Sequence, residues 1–263
     1  MKKPLYLLMI AVIGVLFSCN PKTETRQEQK AVAEINPQLT AEEKAGGVMT
    51  PEIILKFGRL STFALSPDGS SVLYSVTKID LDSEKRQTNI YRIPAAGGDP
   101  VRLTIEGGDS PQWFDSGKKI AFVRNGELFA MNPDGSAQEK IPGISNFEIY
   151  NISPNSNRIY FTRRVKLDQT ANEKYDLPDA RVRIINDLMY RHWNYWSDYS
   201  YSHIFVADFN GTSVSGEKDI MEGQKFESPL SPDFDEGEIA WSPDGKYIAY
   251  TSKRLRGVDD ALS

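Results

Sequence analysis

The stretch EIAWSPDGKYIAYTSKR, Glu238 to Arg254, reads as strand, tight turn, strand. Ile239 and Trp241 alternate with small or polar neighbours before the turn, and Ile248 and Tyr250 do so after it, the period-2 pattern of a half-buried hairpin. Between them stands Ser242-Pro243-Asp244-Gly245. Proline presets φ, aspartate bonds its own backbone and glycine accepts positive φ, so the turn chemistry is complete.

The chain has written this hairpin three times before, as FALSPDGSSVLYSV, PQWFDSGKKIAFV and YNISPNSNRIYFT, with turns centred on Gly69, Gly117 and Ser156. With these aligned on Gly245, the position four before the turn holds Leu65, Trp113, Ile152 and Trp241. Three after it come Val72, Ile120, Ile159 and Ile248, and five after it Tyr74, Phe122, Phe161 and Tyr250. NIYRIPAAGG, ELFAMNPDGS and HIFVADFNGT each supply a third strand closed by a glycine turn, and Val101 to Thr104 reads as a fourth. Four short antiparallel strands per unit, repeating at intervals of 48 and then 39 residues, predict an all-β chain built as a partial β-propeller of about four blades. A sandwich would alternate too, but would not repeat one turn in one register.

The third interval, Ser156 to Gly245, is 89 residues, about twice a unit. The excess falls between a second strand ending near Arg163 and a third starting at His203, and marks an insertion at about 164–202, part helical around Ala180 to Met189. Its aromatic run includes Tyr190, Trp193, Tyr195, Trp196, Tyr199 and Tyr201. Rings in such a loop pack it onto the body or form a ligand platform, and packing is the commoner use.

Ahead of the repeats, Lys2 and Lys3, the apolar run Leu5 to Phe17 and the sequence Leu16-Phe17-Ser18-Cys19 form a secretory signal over 1–18. Cys19, the single cysteine of the sequence, sits where a bacterial lipobox places the lipidated residue. Residues 19–49 hold no aromatic residue and are rich in Glu, Gln, Lys, Thr and Ala, the composition of a flexible tether. The expected location is therefore the bacterial cell envelope, lipid-anchored, with Asn20 favouring the outer membrane. Folding is expected from Thr50, an N-cap before Pro51, with Ile53, Ile54 and Phe57 on one side of a short helix and Gly58 as its stop. The predicted propeller domain occupies 50–263.

The formal charge of −5, which becomes −7 without Lys2 and Lys3, disfavours a nucleic-acid partner. GTSVSG, from Gly211, approaches a nucleophile elbow but has Ser215 at the second glycine position and no following helix. Of the two histidines, His203 aligns with Asn89 and Glu127 at an ordinary strand start, and His192 lies in the insertion. DFDEGE, Asp233 to Glu238, does not match a calcium loop, two histidines without a second cysteine make a poor zinc set, and no glycine-rich phosphate loop precedes a helix. No catalytic residue, metal or cofactor is expected.

The Ser-Pro-Asp-Gly hairpins resemble the propeller repeats of the Tol-system propeller protein and of the prolyl oligopeptidase family. RIINDLMYRHWNYW, followed by HIFVADFNGTSVSGEKDIMEG and GEIAWSPDGKYIAY, is similar to the dipeptidyl- and acylaminoacyl-peptidase branch of that family, over about Met49 to Arg254. The resemblance implies a propeller that restricts access and holds the peptide's amino end, and a separate α/β-hydrolase domain with Ser, Asp and His. This chain departs from the pattern by its small number of blades and by carrying no hydrolase sequence. The expectation is thus the N-terminal propeller portion of an envelope-anchored serine exopeptidase, not catalytic by itself, with peptide substrate and membrane as partners. Arg191, His192, Trp193 and Trp196 are the expected substrate contacts. The alternative is a non-catalytic periplasmic lipoprotein propeller acting as scaffold or ligand-binding module.

Overall fold

The computed structural model describes residues 35–177, 179, 182–184, 191–192, 195–196, 198–230 and 235–254. Two short helices lead into the sheets, α1 (Ala41–Gly46) and α2 (Pro51–Lys56). Thr50 caps α2 as the sequence predicts, its Oγ1 accepting from Ile53 N at 3.3 Å. Gly58 follows because the chain runs close over Val76: a Cβ there would lie 2.8 Å from Val76 Cγ1. Helix α1 falls inside the stretch expected to be a tether. A Thr40/Glu43 capping box starts it, and a Lys56–Glu43 ion pair at 2.8 Å ties it to α2.

Three four-stranded antiparallel sheets follow, each with its strands in chain order. The first comprises β1 (Arg59–Leu65), β2 (Ser71–Asp80), β3 (Lys85–Pro94) and β4 (Val101–Arg102). The second comprises β5 (Asp109–Phe114), β6 (Lys119–Arg124), β7 (Glu127–Met131) and β8 (Glu139–Lys140). In the third, β9 (Tyr150–Ile152) and β10 (Arg158–Lys166) are separated from β13 (Ser200–Phe209) and β14 (Val214–Asp219) by the insertion. The insertion holds α3 (Ala171–Lys174) and a hairpin of β11 (Arg191–His192) and β12 (Tyr195–Trp196). A final hairpin, β15 (Ile239–Trp241) with β16 (Ile248–Tyr250), opens a fourth unit.

The registers reproduce the sequence repeat. Leu65 pairs with Val72, Trp113 with Ile120, Ile152 with Ile159 and Trp241 with Ile248. The aromatic two residues on from the second member pairs with an aromatic of the third strand in every complete sheet. Tyr74–Tyr91, Phe122–Phe129 and Phe161–Phe205 have ring centroids 5.7, 5.6 and 5.4 Å apart. The turns are built as their residues dictate. Ser66 Oγ donates to Asp68 Oδ1 (2.6 Å), which also accepts from Ser70 N, while Ser71 N donates back to Ser66 Oγ. Ser242 and Asp244 repeat the device with Lys246 and Tyr247, and Ser153 and Asn155 do so in part.

The core lies between sheets. One buried cluster joins Leu73, Ile90 and Leu103 of the first sheet and its linker to Ile120, Phe122 and Met131 of the second. Another joins Phe114, Ala121 and Leu128 to Ile159, Phe161 and Phe205. A third joins Tyr160, Ile204, Met221 and Phe226 to Ile239. The first strands of successive sheets approach one another, so the sheets stack as blades with β1, β5 and β9 at the inner edge. Trp113 Nε1 donates to Ala64 O of the preceding blade (3.2 Å), and Trp241 Nε1 to Asn151 O (3.3 Å). Ile152 has no such donor. There Gln112 of the second blade bonds the third, giving to Tyr150 O and accepting from Ile152 N. Among the described residues the fold is a partial β-propeller: three four-stranded blades and one further hairpin, β15–β16.

Candidate functional site

The insertion rises from a continuation of the third blade. The β10–β13 ladder runs through Arg163–His203 to Lys166–Ser200, three residues further on each strand than the sequence suggested, and Leu167 N still reaches Tyr199 O at 3.2 Å. Charged pairs pin this stem. Arg164 meets Glu227 at 3.3 Å and Asp198 at 3.6 Å, and donates to Ser200 O. Lys166 meets Glu173 at 2.5 Å, and Lys225 meets Asp168 at 2.7 Å. The Lys166 ammonium, with the backbone N–H and hydroxyl of Thr170, holds the Glu173 carboxyl down at about 2. Burial works to raise Asp198, but the Ser200 N–H and Arg164 outweigh it and leave the carboxyl below its ordinary range.

On this stem β11 and β12 pair Arg191 with Trp196 and His192 with Tyr195. Three of the four expected substrate contacts, Arg191, His192 and Trp196, therefore share one small hairpin. Trp193 lies outside the described residues. The Trp196 indole is half-buried under the Arg183 guanidinium, 4.5 Å from the ring centroid. The helix expected at Ala180 to Met189 lies largely outside the described residues, and residues 182–184 are not helical.

His203 has a different task. Its ring is fully buried, with Nδ1 at 2.8 Å from Asp219 Oδ2 and Nε2 at 2.8 Å from Gln224 O. An aspartate on Nδ1 is how a serine hydrolase orients its base, but here the second nitrogen is occupied by a backbone carbonyl and meets no serine. The equivalent positions show the same structural use: Thr104 Oγ1 donates to Asn89 Oδ1, and Lys140 pairs with Glu127 at 2.5 Å. In each blade this position of the third strand clasps the fourth strand or the segment that follows it. In GTSVSG, Gly211 (φ +88) makes the β13–β14 turn, Ser213 Oγ donates to Asn210 Oδ1, and β14 follows rather than a helix.

A carboxylate group that sequence reading passed over lies where the blades' first strands begin. Asp109 accepts from Thr62 Oγ1 at 3.3 Å, and Tyr150 OH donates to Ser110 O at 2.7 Å. Loss of hydration, then Asp235 and Asp109, push the Glu236 carboxyl up. Burial first, then Glu236 and Asp109, push the Tyr150 phenol well above its ordinary range. These residues come from all four units, far apart in sequence, so no local motif announces them.

Stacked four-stranded blades, the third bearing a stem-mounted hairpin, define a β-propeller fold. Dipeptidyl-peptidase 5 of Porphyromonas endodontalis is 34% identical over 232 residues, covering 85% of this chain, and that of Porphyromonas gingivalis is 33% identical over 236 residues, covering 83%. The chain spans about a third of the length of these curated relatives. No family model matches it. Among solved structures, the Pyrococcus horikoshii acylaminoacyl peptidase superposes with a TM-score of 0.50 at 19% identity, over 68% of this chain and 27% of that one. This likeness shows the shared blade fold.

Proposed function

We propose that the chain is the propeller portion of an envelope-anchored serine exopeptidase of the dipeptidyl-peptidase 5 kind, which admits and positions peptides while an α/β-hydrolase domain supplies the chemistry. The similarity to the two Porphyromonas enzymes across more than four-fifths of the chain carries the reading. Its chemistry supports the division of labour. His203 is committed to a clasp, the serine of GTSVSG to a turn, and the stem hairpin offers aromatic and cationic groups suited to contact rather than bond cleavage. The peptide partner meets Arg191, His192, Trp193 and Trp196. Cys19 carries the lipid, which holds the protein at the periplasmic face of the outer membrane.

The test is a chimera in which residues 50–254 replace the matching third of the P. endodontalis enzyme, assayed for release of dipeptides from chromogenic dipeptidyl substrates. The reading predicts activity in the chimera and none in the 263-residue chain alone. A monodisperse, folded chimera without activity, or hydrolysis by the lone chain, overturns it. Metabolic labelling with a fatty acid, lost in Cys19→Ala, tests the anchor separately.

A further inference from the structure

The sequence holds two Asn-Gly pairs, Asn125-Gly126 and Asn210-Gly211, and both asparagines are exposed in hairpin turns. With no Cβ on the glycine, its backbone nitrogen can approach the carbon of the preceding side-chain amide, which makes such pairs chemically labile. The fold treats the two differently. Asn210 Oδ1 accepts from Thr212 N and Thr212 Oγ1, both at 3.0 Å, from Ser213 N at 2.8 Å and from Ser213 Oγ at 3.2 Å. Turning its Cγ onto Gly211 N would break that set. Asn125 stands in the β6–β7 turn at φ +52, with Gly126 at φ +75 and Arg124 paired to Glu127 across it. Among the described residues neither its side chain nor Gly126 N has a hydrogen-bond partner, and a Cβ on Gly126 would meet nothing within 4 Å.

We propose that Asn125 is a site of spontaneous deamidation, and that the fold directs the reaction to it and away from Asn210. Gly126 N gives its proton to solvent base and bonds to Asn125 Cγ. The bond from Cγ to Nδ2 breaks, and ammonia leaves with a proton taken from water. Water then adds to the cyclic imide and one of its two ring C–N bonds breaks, giving aspartate or the isoaspartate whose backbone runs through the former side chain. The net change is amide plus water to carboxylate plus ammonium, with no oxidant or reductant. The new carboxylate lies between Arg124 and Glu127 on the connection from second to third strand, the same connection from which the stem rises in the next blade. Isoaspartate also adds a methylene to a two-residue turn, which works against the Arg124–Glu127 pairing. This goes beyond the proposed peptidase role and does not depend on it.

The test is incubation of the full 263-residue chain at mildly alkaline pH, its folded state read from the far-ultraviolet spectrum. Lysine-specific digestion in heavy-oxygen water gives conversion during digestion a different mass, and tandem mass spectrometry of fragments 120–140 and 175–218 reads Asn125 and Asn210 separately. In the folded chain Asn125 should convert at least about tenfold faster than Asn210, since each ordinary hydrogen bond that must break first is worth a factor of about five in rate. In urea the two should convert at similar rates. Asn125→Gln should leave fragment 120–140 unmodified over the same incubation. Conversion of Asn210 as fast as Asn125 in the folded chain overturns the proposal, as does an Asn125 that converts in urea but stays intact when the chain is folded.

Discussion

At the scale of single residues, the recurring indole is the most informative contact. Trp113 and Trp241 each send one N–H to the carbonyl of the preceding blade, while Gln112 does the equivalent work where Ile152 cannot. Replacing Trp241 by Phe keeps most of the apolar area and removes the donor. We expect a loss of about 1 kcal/mol in urea unfolding, the ordinary net value of such a bond, and a similar loss for Trp113→Phe. The turn carboxylates give a pH signature. The Ser66 hydroxyl, then the backbone N–H and hydroxyl of Ser70, hold Asp68 down at about 2. A carboxyl depressed in the folded state contributes stability above its unfolded value of about 3.9, and the contribution fades as pH falls toward the folded value. Asp68→Asn should therefore lower stability at neutral pH, with the difference from the parent shrinking as pH falls from about 3.9 toward about 2. The measurement is thermal unfolding as a function of pH.

At the scale of elements, the turns decide how blades seat against one another. Gly69 and Gly245 both need positive φ, but only Gly245 abuts a neighbour: a Cβ there would lie 2.9 Å from Asn155 Oδ1 of the preceding turn, while Gly69 has open space. Gly69→Ala should cost about 1 kcal/mol from backbone strain alone, and Gly245→Ala measurably more, read by the same unfolding assay. Ser156 holds φ +56 without being glycine, and its Oγ accepts from Asp115 N of the second blade, an added contact that offsets the strain. The hairpins were legible because turn chemistry and period-2 alternation are local properties: the four predicted strand pairs appear in the predicted register. The Arg124 and Arg163 guanidinium groups, each about 5 Å over two aromatics of its own blade, share one repeat position, yet charge at that position does not reveal its stacking. Helix α1 was missed because six residues of low hydrophobicity owe their order to a capping box and one ion pair, not to an apolar face. The Asp109–Tyr150–Glu236 group was missed because only blade stacking brings it together.

At the scale of the molecule, each blade is stable because it has a neighbour. Ile120 and Phe122 are completely buried by the first blade, while the corresponding outer face of that blade leaves Phe63 81% and Leu65 59% exposed. The described residues hold a stem-mounted hairpin at one place and inner-edge carboxylates at another. We propose that this chain holds peptide and leaves bond cleavage to another domain. The most direct test is the steady-state kinetics of dipeptide release by the chimera carrying Trp196→Ala or Arg191→Ala. The account predicts that KM rises severalfold while kcat stays within about twofold of the parent chimera, the mark of lost ground-state binding. A fall in kcat with KM unchanged, or no change in either constant, would contradict it.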